Sequence, residues 1–144
     1  MSNKKSIILT TDGASLNNQN RELREGSFGY LIEQNNELVD EVSEYIGQGP
    51  KYTNNYAEYQ AVINGVRHIK RLFPNREISL SIKSDSELLV KQITGEYSVN
   101  KMEEVYEECI EELSSLKTWQ VEHVSKFPGN SIERADNLAA EAFD

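Results

Sequence analysis

The order of strand-like and helix-like segments is the feature that most limits the folds open to this chain. Three β-prone runs come first, over residues 7–11, 27–33 and 37–46. Gln34-Asn35-Asn36 separates the second run from the third and reads as a turn, so these two runs are expected to pair antiparallel. The polar stretch over residues 16–26 is expected to be a loop.

Helical and strand patterns alternate in the rest of the chain. A long helix is predicted after a cap at Thr53 or Asn54, followed by a strand over 78–82 and a short helix over 88–93. A second long helix, a strand over 119–124 and a helix from about Ser131 complete the order. The apolar stripes of the two long helices are Tyr59, Val62, Ile63, Val66, Ile69 and Phe73, and Met102, Val105, Tyr106, Cys109, Ile110, Leu113 and Leu116. The order β-β-β-α-β-α-α-β-α predicts an α/β sheet of mixed direction with helices on both faces.

Length and composition favour one small domain over residues 1–144. No apolar run exceeds three residues, so neither a membrane span nor a secretory signal is expected. The single cysteine, Cys109, excludes an internal disulfide and falls in an apolar stripe, which fits a reducing compartment such as the cytoplasm. The net charge of −9 argues weakly against unaided nucleic-acid binding, although total charge says nothing about its distribution.

Four acidic residues occupy positions where a surface charge is not expected. Asp12 and Asp85 follow apolar strands, Glu58 borders the stripe of the first long helix, and Asp136 lies near the start of the last helix. Each has an ordinary explanation alone, as a helix cap, an exposed helix acid or a first-turn acid. Brought to one sheet edge they would repel one another unless cations lay between them. Oxygen ligands without Cys or His suit Mg²⁺ or Mn²⁺, and two such ions catalyse phosphodiester displacement.

Four segments around these acids resemble the signature segments of the ribonuclease H family, in the family's order. They are TTDGAS (10–15), TNNYAEY (53–59), SDSELLV (84–90) and ERADNLAAEA (133–142), and the resemblance covers about residues 6–143. The resemblance implies a five-stranded mixed sheet with strand 2 antiparallel and helices on both faces. It also implies an endonuclease that cuts the RNA strand of RNA/DNA hybrids and leaves 5′-phosphate and 3′-hydroxyl ends.

The resemblance further implies a set of site residues. Asp12 is expected to bridge two Mg²⁺ ions, which Mn²⁺ can replace, with Glu58 and Asp85 completing one metal site and Asp136 the other. The residues expected to contact the hybrid are Asn18, Asn54 and Asn55 on the RNA strand, Thr53 near a DNA phosphate, Gln92 at a sugar or base, and Lys126 as an electrostatic group. Amide side chains suit RNA because they can donate to and accept from a 2′-hydroxyl.

The sequence departs from the family pattern in two places. Many members carry a histidine in the loop before the last helix, but residues 125–131 contain none. His123 falls in the preceding strand and is expected to be packed there, which leaves Lys126 or Arg134 as substitutes. His68 is expected to lie on the solvated surface of the first long helix.

The second departure is an acidic helix over 101–116 where several relatives have a basic handle. The chain therefore resembles the short type 1 form, with the glutamates of this helix as a solvated face. A local positive rim is expected from Lys51, Arg67, Lys70, Arg71, Lys83, Lys91 and Lys126. A monomer is expected, and the acidic helix makes a protein partner plausible.

Two other functions stay open at this point. The same fold hosts nucleases of different substrate, and a catalytically idle domain that binds nucleic acid or protein is conceivable. The asparagines favour RNA over DNA substrates, and the four carboxylates together argue against an idle domain.

Overall fold

The structure, a computed structural model, describes residues 4–74 and 76–144. Its elements follow the predicted order, with one 3-10 helix inside the predicted loop. The strands are β1 (Lys4–Leu16), β2 (Glu25–Gln34), β3 (Glu37–Gln48), β4 (Glu77–Ser84) and β5 (Thr118–His123). The helices are α1 (Asn54–Leu72), α2 (Glu87–Ile93), α3 (Glu103–Ser114) and α4 (Ser131–Glu141), and the 3-10 helix is Arg21–Leu23.

The five strands form one mixed sheet in the order β3-β2-β1-β4-β5. β2 runs antiparallel to both β1 and β3, while β1, β4 and β5 are parallel. The predicted sheet with an antiparallel second strand is therefore confirmed. The predicted turn between β2 and β3 is also present, with Asn35 and Asn36 at φ values of 54° and 64°. Asparagine tolerates this left-handed conformation, which a tight hairpin requires.

Helices cover both faces of the sheet. The apolar stripe of α1 packs with α3 on one face, where side chains such as Leu9, Ile63 and Ile82 are fully buried. The other face is covered by α4, and Leu31 of β2 packs there against Ala135 and Leu138. The periodic stripes predicted the helix faces because burial of apolar surface is what holds these amphipathic helices on the sheet.

The first strand differs from its prediction. It was expected to end at Thr11, so that Asp12 would follow it, but β1 continues to Leu16 and contains Asp12. The parallel pairing of β1 with β4 does end at Thr11, opposite Ser84, whereas the antiparallel pairing with β2 goes on and sets Asp12 opposite Gly29. Asp12-Gly13 reads as the end of a strand and so hid this extension, in which pairing with β2 alone satisfies the backbone on that side.

In the part of the chain that the structure describes, we find no helix with the length and apolarity needed to cross a membrane.

Candidate metal and nucleic-acid site

Three of the four predicted acids meet where the parallel strands end. One carboxylate oxygen each from Asp12, Glu58 and Asp85 lies within 4.8 Å of the other two. Asp12 comes from β1, Glu58 from the first turns of α1, and Asp85 from the residue after β4. Asp12 and Glu58 are each only 6% exposed. Such a group of hard oxygen donors could hold a divalent ion.

Gly13 allows β1 and α1 to come this close. A Cβ atom at Gly13 would lie 2.7 Å from the Ala57 carbonyl oxygen and closer still to the Glu58 backbone nitrogen. The backbone N–H of Gly13 donates a hydrogen bond to the Glu58 Oε1 atom. The glycine thus brings the helix against the strand and also orients one of the three carboxylates.

The cluster is electrostatically strained without a cation. Burial raises the pKa of Asp12 above its ordinary value, and the nearby carboxylates of Glu58, Asp85 and Asp136 raise it further. Burial also raises the pKa of Glu58, although the hydrogen bond from Gly13 opposes that rise. A divalent ion among these oxygens would relieve both the repulsion and the desolvation, so the donor set fits a metal site.

Asp136 lies on the open side of this cluster. It is close enough to Asp12 to raise the pKa of that carboxyl, but its own side chain is 42% exposed. The Lys126 ammonium lies 3.2 Å from the Asp136 Oδ2 atom, and this interaction raises the pKa of Lys126. Lys126 is therefore the cation that the loop before α4 directs toward the acids, whereas Arg134 is paired with Glu41.

The predicted substrate contacts gather in two groups at the start of α1. The Asn18 Oδ1 atom accepts a hydrogen bond from the Asn54 backbone nitrogen at 3.3 Å. The Asn55 Nδ2 atom lies 3.5 Å from the Gln92 Oε1 atom. Thr53 caps the helix, since its hydroxyl accepts from the Tyr56 backbone nitrogen. Asn54 and Asn55 precede Glu58 on α1, and the contact of these residues with a hybrid stays a prediction.

Two histidine predictions are wrong. His123 was expected to be packed in the last strand, but it is exposed at the end of β5, and its Nε2 atom lies 3.1 Å from the Asp85 carbonyl oxygen. The strand ends there, so alternation no longer dictates burial. His68 was expected to be solvated, yet its side chain is 15% exposed and lies between the Tyr30 hydroxyl at 2.7 Å and Asp40 at 3.1 Å.

The predicted positive rim is smaller than expected. Arg67 and Lys70 bind Glu112 of α3 at 3.0 and 2.9 Å, so they hold two helices together on the side of α1 that faces α3. Lys91 pairs with Glu87 at 2.9 Å. These three cations are therefore already paired with carboxylates. The acidic face of α3 is also less solvated than predicted at Glu112, because Arg67 and Lys70 bind this side chain.

The hydroxyl of Tyr59 is a feature that the sequence did not indicate. Tyr59 is fully buried, and its hydroxyl oxygen lies 2.8 Å from the Gln92 Oε1 atom. Its place in an apolar stripe concealed the polar contact. The sequence did carry one signal, which is a tyrosine at a stripe position where leucine would fill the core equally well. A buried phenol usually has a hydrogen-bond partner.

Comparisons with known proteins agree with this geometry. The model of the family described as reverse transcriptase-like matches residues 10–142. The RNase H1 from the halophilic archaeon Halobacterium salinarum is 28% identical, with a TM-score of 0.80 over 96% of this chain and 97% of that one. LC11-RNase H1, isolated from compost by a metagenomic approach, is 27% identical, with a TM-score of 0.79 over 96% and 95% of the two chains.

A second structure of LC11-RNase H1 contains an RNA/DNA hybrid. It is 26% identical, with a TM-score of 0.80 over 94% of this chain and 95% of that one. The resemblance predicted from the four signature segments is thus confirmed over nearly the whole chain. The chain belongs to the reverse transcriptase-like family, and its fold is that of the type 1 ribonucleases H.

Proposed function

We propose that this protein is an endonuclease that hydrolyses the RNA strand of RNA/DNA hybrids and leaves 5′-phosphate and 3′-hydroxyl ends. The observation that carries the proposal is the meeting of Asp12, Glu58 and Asp85 within 4.8 Å, next to the amide side chains at the start of α1. The hybrid bound by LC11-RNase H1, which shares this fold, supports the choice of substrate.

The carboxylates account for the chemistry. Asp12, Glu58 and Asp85, with Asp136 beside them, would hold two Mg²⁺ ions, for which Mn²⁺ can substitute. Such a pair supplies an activated water and stabilises the leaving oxygen of a phosphodiester. The chain's own part is to keep these oxygens converged, which Gly13 does by orienting Glu58. Lys126 contributes a positive charge beside Asp136.

The substrate would be recognised by side chains around the first turn of α1. Asn18, Asn54 and Asn55 present amides that can pair with ribose 2′-hydroxyls, which DNA lacks. Gln92 is 6% exposed and hydrogen-bonded to Tyr59, so its part in a sugar or base contact would be to support Asn55. Thr53 would lie near a phosphate of the DNA strand. This division of labour gives specificity for RNA through the amides and orientation through phosphate contacts.

The test is cleavage of end-labelled RNA/DNA hybrid, duplex RNA and duplex DNA, each with Mg²⁺, Mn²⁺ or a chelator. We expect cutting of the hybrid alone, with either metal, and its loss in Asp85→Asn, which removes a charge at constant size. Glu111→Gln is the matched control, since Glu111 is an exposed acid of α3 away from the cluster. Cutting of DNA alone would favour another nuclease of this fold, and no cutting with either metal would exclude both enzymes.

The remaining expectations follow from the same proposal. We infer that residues 1–144 work as one domain, as a monomer in the cytoplasm, and that a protein partner would dock on the acidic helix over 101–116. The pairing of Glu108 and Glu112 with Arg67 narrows that docking face to the other glutamates of α3. Size-exclusion chromatography with light scattering tests the monomer, for which about 16.4 kDa is expected.

A further inference from the structure

A chain of polar contacts lies beneath the proposed RNA-binding residues and joins three buried or half-buried side chains. The Tyr59 hydroxyl is 2.8 Å from the Gln92 Oε1 atom, and the Asn55 Nδ2 atom is 3.5 Å from that same oxygen. On its other side, the Gln92 Nε2 atom is 3.5 Å from the Ser98 carbonyl oxygen. Tyr59 is fully buried and Gln92 is 6% exposed.

The donors and acceptors in this chain permit one arrangement of the two amides. The Ser98 carbonyl can only accept, so the Gln92 NH₂ group must face it. The Gln92 Oε1 atom then faces Tyr59, whose hydroxyl donates to it. The same oxygen also receives the NH₂ group of Asn55, which turns the Asn55 Oδ1 atom to the opposite side.

The Asn55 Oδ1 atom is left without a partner. Among the side chains of residues 4–74 and 76–144, it is the one buried nitrogen or oxygen that has no hydrogen bond. A buried acceptor without a donor is costly, and such atoms in a native structure usually have a role. Asn55 precedes Glu58 by three residues on α1, so the two side chains are neighbours on one helix face.

We propose that Tyr59 is a positioning residue for RNA recognition: together with the Ser98 carbonyl, its hydroxyl holds the Gln92 amide beneath Asn55, so that the Asn55 Oδ1 atom is oriented to accept from a ribose 2′-hydroxyl. This inference rests on the proposed function and adds to it a residue that holds the two amides in place once the Ser98 carbonyl has set their polarity. The 2′-hydroxyl of a ribose would donate a hydrogen bond to the Asn55 Oδ1 atom, whereas a deoxyribose would leave that atom unpaired. The site would therefore discriminate RNA from DNA at this nucleotide.

The test uses hybrids whose RNA strand carries a single 2′-deoxy nucleotide, moved one position at a time. In the wild-type protein we expect one or two positions at which the substitution raises KM by about 5- to 10-fold. Asn55→Ala should abolish that penalty and so identify the nucleotide that Asn55 contacts. Tyr59→Phe should reduce the same penalty, since Gln92 then keeps only its contacts with Ser98 and Asn55, while kcat on the unmodified hybrid stays nearly constant.

Two further variants separate positioning from general stability. Tyr30→Phe removes another buried tyrosine hydroxyl, one that contacts His68 instead of Gln92, and it should keep the penalty. Gln92→Met keeps the side-chain size without the amide and should lose the penalty, which covers the case of a Tyr59→Phe protein that does not fold.

A position-specific penalty that is undiminished in Tyr59→Phe, or that survives in Gln92→Met, overturns the inference but leaves the proposed function standing. Failure of the wild-type protein to cleave any hybrid overturns both.

Discussion

Gly13 determines how closely the carboxylates of Asp12 and Glu58 can approach. We predict that Gly13→Ala lowers kcat by about 100-fold, because the added Cβ forces the Ala57–Glu58 backbone away from β1 and shifts a carboxylate by a fraction of a helix turn. Steady-state cleavage of a labelled hybrid measures the change.

Gly95→Ala provides the control for this substitution. Gly95 has a φ of 85°, but a methyl group added there would meet nothing within 4 Å, so alanine costs about 1 kcal/mol of stability through the backbone alone. It should leave kcat nearly unchanged. If both variants lost activity equally, strain at a glycine would explain the effect better than displacement of Glu58.

The raised pKa of Asp12 predicts that this carboxylate destabilises the metal-free protein. With a chelator present, Asp12→Asn should increase the free energy of unfolding by about 1–3 kcal/mol, although it removes activity. Glu41→Gln should have the opposite effect, since the hydrogen bond from Arg134 lowers the pKa of Glu41. Urea denaturation in chelator measures both, and a less stable Asp12→Asn would contradict the electrostatic account.

The same pKa shift sets the pH dependence. A carboxyl whose folded-state pKa exceeds its unfolded value stabilises the fold fully below the unfolded value and loses that contribution as pH rises through the folded one. The melting temperature in chelator should therefore rise as pH falls from about 9 to about 6, and rise less in Asp12→Asn. A flat profile for the wild-type protein would contradict this prediction.

The sequence predicted the residues of the site better than their surroundings. Asp12, Glu58 and Asp85 were identifiable because strand ends and helix stripes determine where a side chain lies in a sheet with helices. The exposure of His123 and the contact of Tyr59 with Gln92 were not predictable. Both features depend on how the ends of separate elements meet, and the periodicity of side chains within one element does not predict such contacts.

At the scale of elements, two serine hydroxyls tie α4 to the antiparallel strands. Ser27 of β2 donates to the Ala139 carbonyl at 2.6 Å, and Ser43 of β3 donates to the Leu138 carbonyl at 2.6 Å. These carbonyls belong to the last turn of α4, where the helix itself supplies no donors. The contact is close because Gly29 lacks a Cβ, which would lie 2.6 Å from the Ala135 oxygen.

We predict that Ser27→Ala lowers the free energy of unfolding by about 1–2 kcal/mol, because it leaves a buried helix carbonyl unpaired. Ser114→Ala is the control: that hydroxyl bonds to the Glu111 carbonyl of its own helix on the exposed surface, and its loss should change little. Urea denaturation compares the two variants. Equal effects would mean that the tie between Ser27 and α4 contributes nothing beyond a surface hydrogen bond.

Element boundaries followed physical rules that the sequence shows only in part. The caps at Thr53, Ser86 and Asn130 mark helix starts through side chains that accept backbone N–H groups, and such residues are recognisable. The extension of β1 beyond Thr11 was not recognisable, because Asp12-Gly13 is typical of a strand end and the pairing with β2 involves only the backbone.

At the scale of the whole molecule, charge is distributed unevenly around the proposed site. The net charge is −9, and four carboxylates contribute to it at the cluster itself. Lys51 and Lys101 line a cavity of about 400 Å³ between the start of α1 and α3, but Glu104 lines it as well. Thr53, the residue predicted to lie near a DNA phosphate, borders the same cavity. Glu108 also lines the cavity but is paired with Arg67, so a hybrid bound there would meet two cations and one opposing carboxylate without that partner, Glu104.

Reversing that charge should improve substrate binding without altering the chemistry. We predict that Glu104→Lys lowers KM for the hybrid several-fold at about 0.1 M salt and leaves kcat unchanged, because it adds a phosphate partner beside Lys51 and Lys101. Glu111→Lys makes the same change of charge on the same helix, about 10 Å farther along. At about 0.1 M salt that distance equals a Debye length, so its effect should be much smaller. Steady-state kinetics over a salt series measures KM for both variants. An equal decrease of KM in both would indicate that net charge alone limits binding. A decrease confined to Glu104→Lys would locate the path of the DNA strand along this cavity.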